Sequence, residues 1–492
     1  HFLMATQSFA DLPGAPVPDR IIPATSMPLF NLAGDTVRYS AFDAYTFGAV
    51  PTDGITLAFD DTDSPDGMCT TYLTTLVLEE LSDLDLLGWP RLVRLNPNVP
   101  WKTRGNAAVC LPLGHGEGRG TLCGRLERGD VRWHKRGTPV DPSELLERAA
   151  PVVARHAKFD CHTTNPGVVA AVDRPSPTLY WRAVREVVPL EDVESELSAK
   201  GAHWRKFKGG RGVIGASAAM AWRPRDRTWE VIAYRSPDRF GTPRGIEPES
   251  VIQMDKGTIR TFNNYDPENG HIAIAPGSPC PVLFGIRGDS PRELLKAKDM
   301  IRGEVPDKWL LYMSNQGTED HIARRRVRDL RPGDSAKVRG TVSSEPVTVP
   351  GGHVVLRLGD GAEIDAAFYE QSRGMRDAAR GLLPGDEIVA YGSVRSSPRS
   401  LNVEKLRVVR LSSHVRKVSN PECPKCGKRM GSMGSGQGYR CKVCGARAPK
   451  SAAEFEPVVR SVSVGWYEPP VSSRRHLHKP LRRMPRGNIN KI

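Results

Sequence analysis

Ile55-Thr56-Leu57-Ala58-Phe59 runs without a break into Asp60-Asp61-Thr62-Asp63-Ser64, and Gly67-Met68-Cys69-Thr70-Thr71 follows at once. The apolar run has the length and branching of a buried strand. From about Thr70 to Leu81, Leu73, Leu76, Val77 and Glu80 recur at helical intervals. Strand, acidic loop, then helix is the layout of a site at the carboxyl end of a strand. Three carboxylates, Asp60, Asp61 and Asp63, crowd this loop and repel one another unless a cation or hydrogen bonds offset them. One reading is Mg²⁺, which takes a few carboxylates and then substrate phosphates. The other is an acidic turn that caps the next helix. Small residues and hydroxyls at the helix start favour the first, because they accommodate an anion beside the metal.

Working outward, residues 91–113 read as extended, and 114–140, rich in Gly and charge, as a loop or irregular hairpin. Leu179 to Val188 is extended or helical, and Leu190 to Lys200 is helical. Val213 to Ala221 is small and apolar. Trp229 to Tyr234 is a strand and Arg260 to Asn264 another. Pro291 to Ile301 is an amphipathic helix with Ser290 as N-cap. The pattern is mixed α+β.

After Arg328 the style changes. Short alternating strands occupy Ala336 to Val342, His353 to Leu358, Glu363 to Ala367, Glu387 to Ser393 and Lys405 to Val409, with a helical stretch near Arg373 to Leu383. Pro332-Gly333-Asp334 and Pro384-Gly385-Asp386 supply turns. This favours an OB-fold over another small β-barrel.

The strongest single motif is Cys423-Pro-Lys-Cys426 with Cys441-Lys-Val-Cys444. Two such knuckles place four thiolates around a tetrahedral Zn²⁺ and leave no open position, so the metal is structural. Lys425, Lys428, Arg429, Arg440 and Lys442 surround the knuckles with positive charge. Lys206-Phe207-Lys208-Gly209-Gly210-Arg211-Gly212 offers backbone N–H groups and three cations to a phosphate, or is a plain basic hairpin. Trp101-Lys102-Thr103-Arg104 pairs an aromatic with cations and could stack on a base; a buried Trp beside a solvated loop is the alternative.

The 492 residues imply three or four domains, and the excess of 70 Lys and Arg over 56 Asp and Glu leaves a net charge of +14. That favours a polyanionic partner about as much as it favours a merely basic surface. Nine cysteines, four of them at metal spacing, argue against a disulfide framework and for a reducing, cytoplasmic setting. No apolar run is long enough to span a bilayer. Residues 1–50, with many Pro, Ala and Ser and no strong periodicity, read as a mistranslated upstream stretch or a flexible extension, which leaves the N-terminal boundary open. From Arg474 onward there are seven Lys or Arg and no acid, a tail expected to be solvated or to lie on a phosphate backbone.

These residues resemble the archaeal tRNA-isoleucine 2-agmatinylcytidine synthetases (TiaS). The likeness is carried by the block from Asp60 to Leu73, by Arg94-Leu95-Asn96-Pro97-Asn98-Val99-Pro100-Trp101-Lys102-Thr103-Arg104-Gly105-Asn106, and by Thr164-Asn165-Pro166-Gly167. Gly209-Gly210-Arg211-Gly212, Thr261-Phe262-Asn263-Asn264-Tyr265-Asp266, Cys280-Pro281-Val282-Leu283-Phe284-Gly285-Ile286-Arg287-Gly288, Asn315-Gln316-Gly317-Thr318 and the four ribbon cysteines continue it. It covers nearly all the chain except residues 1–50.

The resemblance implies an α+β multidomain protein. A kinase-like α/β catalytic domain would span 51–185, a ferredoxin-like domain with a linker helix 186–327, an OB-fold 328–413, a zinc ribbon 418–450 and a basic tail 451–492. It implies an ATP-dependent ligase that joins agmatine to carbon 2 of the wobble cytidine of tRNA-isoleucine through a phosphorylated cytidine, releasing AMP and phosphate. The partners are then tRNA and agmatine, with no membrane and no DNA; the cofactors are ATP, Mg²⁺ and structural Zn²⁺. By this likeness Asp60, Asp61 and Asp63 hold Mg²⁺ on the ATP phosphates, and Thr70 falls on the family's phosphate-accepting threonine. Lys206, Lys208 and Arg211 hold phosphate or the activated base. Gly67, Thr71, Gly209, Gly210 and Gly212 belong to nucleotide-binding segments, and Asn264 and Asp266 help place agmatine. The rivals are a non-catalytic RNA-binding adaptor, which has no use for the aspartates, and a two-metal RNA nuclease.

Overall fold

Described in the computed structural model are residues 55–485 and, as a unit by itself, a strand pair of Leu29–Phe30 with Thr36–Val37. The expectation for residues 1–50 otherwise lies outside the described residues.

Strand Ile55–Asp60 is an inner strand, third from one edge of a twelve-stranded sheet, antiparallel to Ala107–Glu117 on one side and to Gly167–Ala171 on the other. Because successive side chains point to opposite faces, Leu57 and Phe59 enter one core and Ala58 another. Helices Thr70–Glu80 and Pro142–His156 supply Leu73, Val77, Leu145 and Val153 to the first core. Helices Pro177–Arg185, Leu190–Ala199 and Gly212–Ala221 supply Leu179, Val193 and Ala216 to the second. Burial on both faces explains why the strand is apolar throughout rather than alternating.

The sheet continues without interruption from the first half of the chain into the second. His203–Lys206 extends it beyond Gly167–Ala171, while Thr121–Leu126 pairs with Lys308–Ser314, which pairs with Thr228–Tyr234 and so leads to Val282–Gly288. A break at 185/186 therefore falls inside one sheet. Residues 114–140 are more regular than their composition suggests: Thr121–Leu126 and Gly129–Trp133 form a hairpin with one register shift. Arg260 to Asn264 is not a strand; only Thr261 bridges to Gly288. Asn263 takes a left-handed φ of 54°, which turns the chain out of an extended path.

Strands Ser335–Val342, Glu387–Ser396, Arg399–Arg410, Glu363–Phe368 and Val354–Gly359 pair in that order, and the last pairs back to the first, closing a β-barrel. Helix Gly374–Arg380 lies between the third and fourth strands in chain order and contributes Met375 and Ala379 to the barrel core. From the barrel the chain passes through Val415–Ser419 into a small unit of three two-residue strands around the cysteines, and returns through Glu454–Pro457, which pairs with Val415–Ser419.

The segment after 451 is the largest departure from the sequence reading. Gly465–Tyr467 adds a strand to Arg399–Arg410, and the chain then crosses back to the large sheet as a strap. Its backbone is tied down by Gly317 N–H to His476 O (2.8 Å), Glu319 N–H to Leu477 O (2.8 Å) and Ser472 N–H to Asp266 (2.9 Å). Lys479 and Arg483 pair with Asp226, and Arg483 also with Asp289. Of its described cations after Pro470, Arg474, Arg475, Lys479 and Arg483 pair with acids of this same chain and Arg482 with a carbonyl, so this stretch is held against the protein rather than left solvated. Residues 486–492 lie outside the described residues.

Candidate active site and zinc centre

The end of strand Ile55–Asp60 opens into a cavity of about 400 Å³ lined by Asp60, Asp61, Asp63, Cys69, Thr70 and Thr71 from the loop and helix start. Trp101, Lys102, Arg104, Asn106, Arg211 and Gly215 line one part of the remaining wall, and Arg94, Glu230, Arg287 and His476 another. The cavity volume suits a nucleotide-sized ligand.

Each carboxylate is placed by a different device. Asp60 is buried, and one of its oxygens accepts from the Asp61 N–H at 2.7 Å. Helix Gly212–Ala221 packs backbone against backbone here. A Cβ on Gly212 would come within 2.5 Å of the Asp60 carbonyl oxygen, and one on Gly215 within 1.8 Å of Asp60 Oδ2. The glycines thus admit the helix to the strand end and leave room for the carboxylate. Asp61 takes a left-handed φ of 60°, a conformation that Asp tolerates better than most residues, and its Oδ2 accepts from Asn165 N–H at 3.0 Å. Asp63 is held by Arg104, whose Nε donates to Oδ2 at 2.8 Å and whose guanidinium also reaches Met68 O and, at 2.9 Å, Ser278 Oγ.

Burial, then the neighbouring Asp61, pushes the Asp60 pKa well above the usual carboxylate range. Burial raises Asp61 to about 6, against the lowering effects of Asn165 N–H and Arg211. Neither is ion-paired among the described residues, whereas Asp63 is. Asp60 and Asp61 are desolvated and make no ion pair among the described residues, which leaves them free to take a divalent cation, although among those residues only the four ribbon cysteines bring three or more ligand atoms within 4.8 Å of one another. An acidic helix cap does not account for them: helix Thr70–Glu80 has Cys69 at its N-cap and no side-chain cap bond. Its first N–H groups are therefore left for an anion in the cavity. The Thr70 hydroxyl is fixed there by Thr62, whose Oγ1 donates to it at 3.1 Å.

The basic glycine segment divides. Arg211 lines the cavity and stacks on Trp101 with 5.3 Å between guanidinium carbon and ring centroid, so Trp101, 39 % exposed, forms a rim. Lys206 instead pairs with Glu194 at 2.7 Å, and Lys208 donates to the carbonyls of Phe159 and Cys161 at 3.0 and 2.8 Å. Gly209 N–H donates to Asn165 Oδ1 at 3.1 Å, which ties the segment to the residue that holds Asp61. Gly67, Gly209, Gly210 and Gly212 stand outside the cavity lining, and Thr71 within it.

Asn264 and Asp266 also stand outside. The Asn264 amide clamps the Arg287 backbone in both directions, at 2.9 and 3.0 Å. Asp266 accepts from Glu268 N–H, Asn269 and Ser472 N–H, and these bonds hold its pKa below the usual range despite burial. Both are committed to holding loops together.

Sequence reasoning missed the opposite wall. Glu230, buried inside strand Thr228–Tyr234, accepts from Arg287 Nε at 3.2 Å, faces Arg94 at 3.8 Å and accepts from Gln316 Nε2. A single Glu inside the apolar run Thr228-Trp229-Glu230-Val231-Ile232 was the available signal, since an unpaired carboxylate is not buried there at small cost.

At the ribbon, the four sulfurs of Cys423, Cys426, Cys441 and Cys444 lie within 4.8 Å of one another, with separations of 3.4, 3.5 and 3.8 Å among them. Four thiolates at ~2.3 Å from a tetrahedral zinc would be about 3.8 Å apart, so the donor set fits the metal. Gly427 and Gly445, at φ 67° and 74°, turn each knuckle back so that their N–H groups donate to the carbonyls of Cys423 and Cys441. Backbone N–H groups of Cys444 and Val443 hold the Cys441 thiol down to about 6, which favours the ligating thiolate.

Three family models match this chain: the TiaS TCKD domain over residues 56–209, the TiaS FLD domain over 210–321 and the TiaS C-terminal zinc ribbon domain over 420–460. The chain is 38% identical over 435 residues to TiaS of Methanocaldococcus jannaschii, the 2-agmatinylcytidine synthetase of isoleucine-2 tRNA, covering 86% of this chain and 97% of that one. Its structure is similar to that of TiaS crystallised with isoleucine-2 tRNA and ATP, with a TM-score of 0.75 and 36% identity over 88% of this chain and 97% of that one. It is likewise similar to the complex of TiaS with isoleucine-2 tRNA, AMPCPP and agmatine, with a TM-score of 0.73 and 32% identity over 87% and 97%. The family models take in both the acidic loop and the four-cysteine centre, and with relatives at this identity covered almost end to end the chain belongs to the TiaS family of tRNA-isoleucine 2-agmatinylcytidine synthetases.

Proposed function

We propose that the chain is an ATP-dependent ligase that joins agmatine to carbon 2 of the wobble cytidine of isoleucine-2 tRNA. The observation that carries this reading is the pair of buried carboxylates without a salt bridge, Asp60 and Asp61, lining one cavity with the uncapped N-terminus of helix Thr70–Glu80. Phosphoryl transfer needs positioning and charge neutralisation above all, and both are supplied there. Mg²⁺ held by Asp60 and Asp61, with Asp63 oriented by Arg104, would neutralise the triphosphate.

Around it the chain's own groups divide the work. Thr70, its hydroxyl set by Thr62, is placed to receive a phosphoryl group at the helix start. Arg211 on Trp101 offers a cationic and aromatic rim on which phosphate or a turned-out base can rest. Transfer of the terminal phosphoryl group of ATP to the cytidine carbon-2 oxygen breaks its bond to the β-phosphate and makes the carbon-2 oxygen a leaving group, and water then splits the remaining diphosphate into AMP and phosphate. The agmatine amine then attacks carbon 2, phosphate departs with the oxygen and the amine gives up a proton. On this reading the first half of the large sheet is kinase-like and the second ferredoxin-like, and the barrel is an OB-fold that holds tRNA together with the ribbon. A nuclease also uses clustered aspartates, but requires neither ATP nor the amine.

Incubation of the purified chain with isoleucine-2 tRNA, ATP and agmatine, followed by nucleoside mass spectrometry, tests the reading. The expected result is a mass gain at one cytidine that requires both small molecules; RNA cleavage without ATP overturns it. The distal end has its own test. Cys441→Ser is expected to empty the ribbon of zinc and weaken tRNA binding by about tenfold, ~1.4 kcal/mol, while ATP hydrolysis stays within about twofold. Metal content and filter binding measure this, and undiminished RNA affinity after zinc loss would reduce the ribbon to a structural cap.

A further inference from the structure

His476 belongs to the strap, beyond every segment matched by a family model, yet it lines the cavity shared with Asp60 and Thr70. Its surroundings fix what its ring can do. Gln316 Nε2 donates to Glu230, so the other end of that amide, Oε1, is the acceptor. His476 Nδ1 lies 3.2 Å from Gln316 Oε1 and therefore carries the proton. The lone pair is left on Nε2.

In front of Nε2 stands Gly105. A Cβ there would sit 3.2 Å from Nε2 and 2.5 Å from an Arg94 nitrogen, so the missing side chain lets this loop lie close to the imidazole and Arg94, and Gly105 and His476 both line the cavity. Arg94 first, then burial and Arg287, hold the His476 pKa well below its ordinary value. Flanked by two guanidinium groups, the ring stays neutral, and a proton placed on it would meet both positive charges. It is therefore suited to accept a hydrogen bond and unsuited to take a proton from an incoming amine. The Glu230 carboxylate compensates the two arginines and, through Gln316, orients the imidazole.

We propose that His476 is a substrate-positioning residue whose Nε2 accepts a hydrogen bond from an N–H group of the ligand that enters past Gly105. This rests on the ligase reading, in which agmatine, with its amine and guanidinium, and cytidine, with its exocyclic amine, bring such donors to the acceptor. The adenine amine of ATP is a third N–H donor, and a rise confined to the ATP KM would overturn the assignment to agmatine or cytidine.

Steady-state kinetics of His476→Phe and His476→Gln decide it. Phe keeps a ring of similar shape and removes both nitrogens, whereas the Gln carboxamide can return an acceptor near the position of Nε2. For His476→Phe the expected result is a KM raised at least about tenfold for one N–H substrate, ~1.4 kcal/mol, with the KM for ATP within about twofold. His476→Gln is expected to recover most of the loss. A rise in the agmatine KM assigns the donor to the amine or guanidinium, and a rise in the tRNA KM assigns it to the base. The proposal is overturned if Phe leaves both constants unchanged, if Gln is as impaired as Phe, or if all three KM values rise together with a lowered melting temperature. Wild-type chain that incorporates no agmatine overturns the ligase reading itself, and the proposal with it, before any variant is compared.

Discussion

Asp61→Asn is expected to lower agmatine incorporation by about 10³-fold while tRNA binding is retained, the scale reached when a group that stabilises developing charge is removed. The carboxylate is held by Asn165 N–H, and an amide oxygen can keep that bond, so the loop survives and the charge does not. The same substitution separates activity from stability. Burial raises the Asp61 pKa to about 6 in the folded chain, against about 4 in an unfolded one. Folding therefore favours the protonated acid, and the wild type loses stability as pH rises from about 4 through about 6. An amide in its place has no proton to lose. Without added magnesium, the variant is expected to melt above wild type at neutral to mildly alkaline pH, with the gap closing as the medium is acidified towards the unfolded carboxylate pKa. Thermal melts across that range measure it. A variant that is both inactive and less stable in alkaline buffer would mean that Asp61 serves the fold rather than the metal.

Gly215→Ala carries the second large effect, and it comes from a residue that supplies no side chain to a substrate. Helical propensity alone predicts a gain of about 1 kcal/mol from this exchange in a helix interior. The added Cβ would overlap Asp60 Oδ2 at 1.8 Å, so the carboxylate or the helix must move. A displacement of this order at a reacting centre costs about 10²-fold in rate. Turnover is expected to drop accordingly, with circular dichroism showing the helices intact and with the KM for tRNA unchanged. Full activity would show that the position of Asp60 is not critical to the chemistry.

Much of this is legible in the sequence where local chemistry decides structure. The strand into Asp60, the helix from Thr70, the five barrel strands and the cysteine knuckles each carry their own signal: an apolar run, helical spacing, two-residue alternation or ligand spacing. Helix Pro142–His156 has a start signal too, in Asp141 followed by Pro142, hidden beside the glycine-rich stretch before it. The Asp141 side chain caps Ser143 and Glu144 N–H at 2.8 and 3.1 Å. What local reading misses is which charges find partners. Lys206 and Lys208 have the look of a phosphate cradle, but Glu194 and two carbonyls take them up. Asn264 and Asp266 have the chemistry of ligand groups, but they brace loops. Arg94, Glu230, Arg287 and His476 lie far apart along the chain, and only the folded sheet and strap bring them to one cavity, with Gln316 bonded to Glu230 and His476.

The strap also sets an order on the making of the molecule. Its residues leave the ribosome after the barrel and the ribbon, while the acidic loop they complete emerges before either. Domains generally fold as they are synthesised, N-terminal first. A nascent chain can thus shape the aspartate side early but lacks His476 until the strap has followed, so the cavity lining is completed only after the barrel and the ribbon have been made.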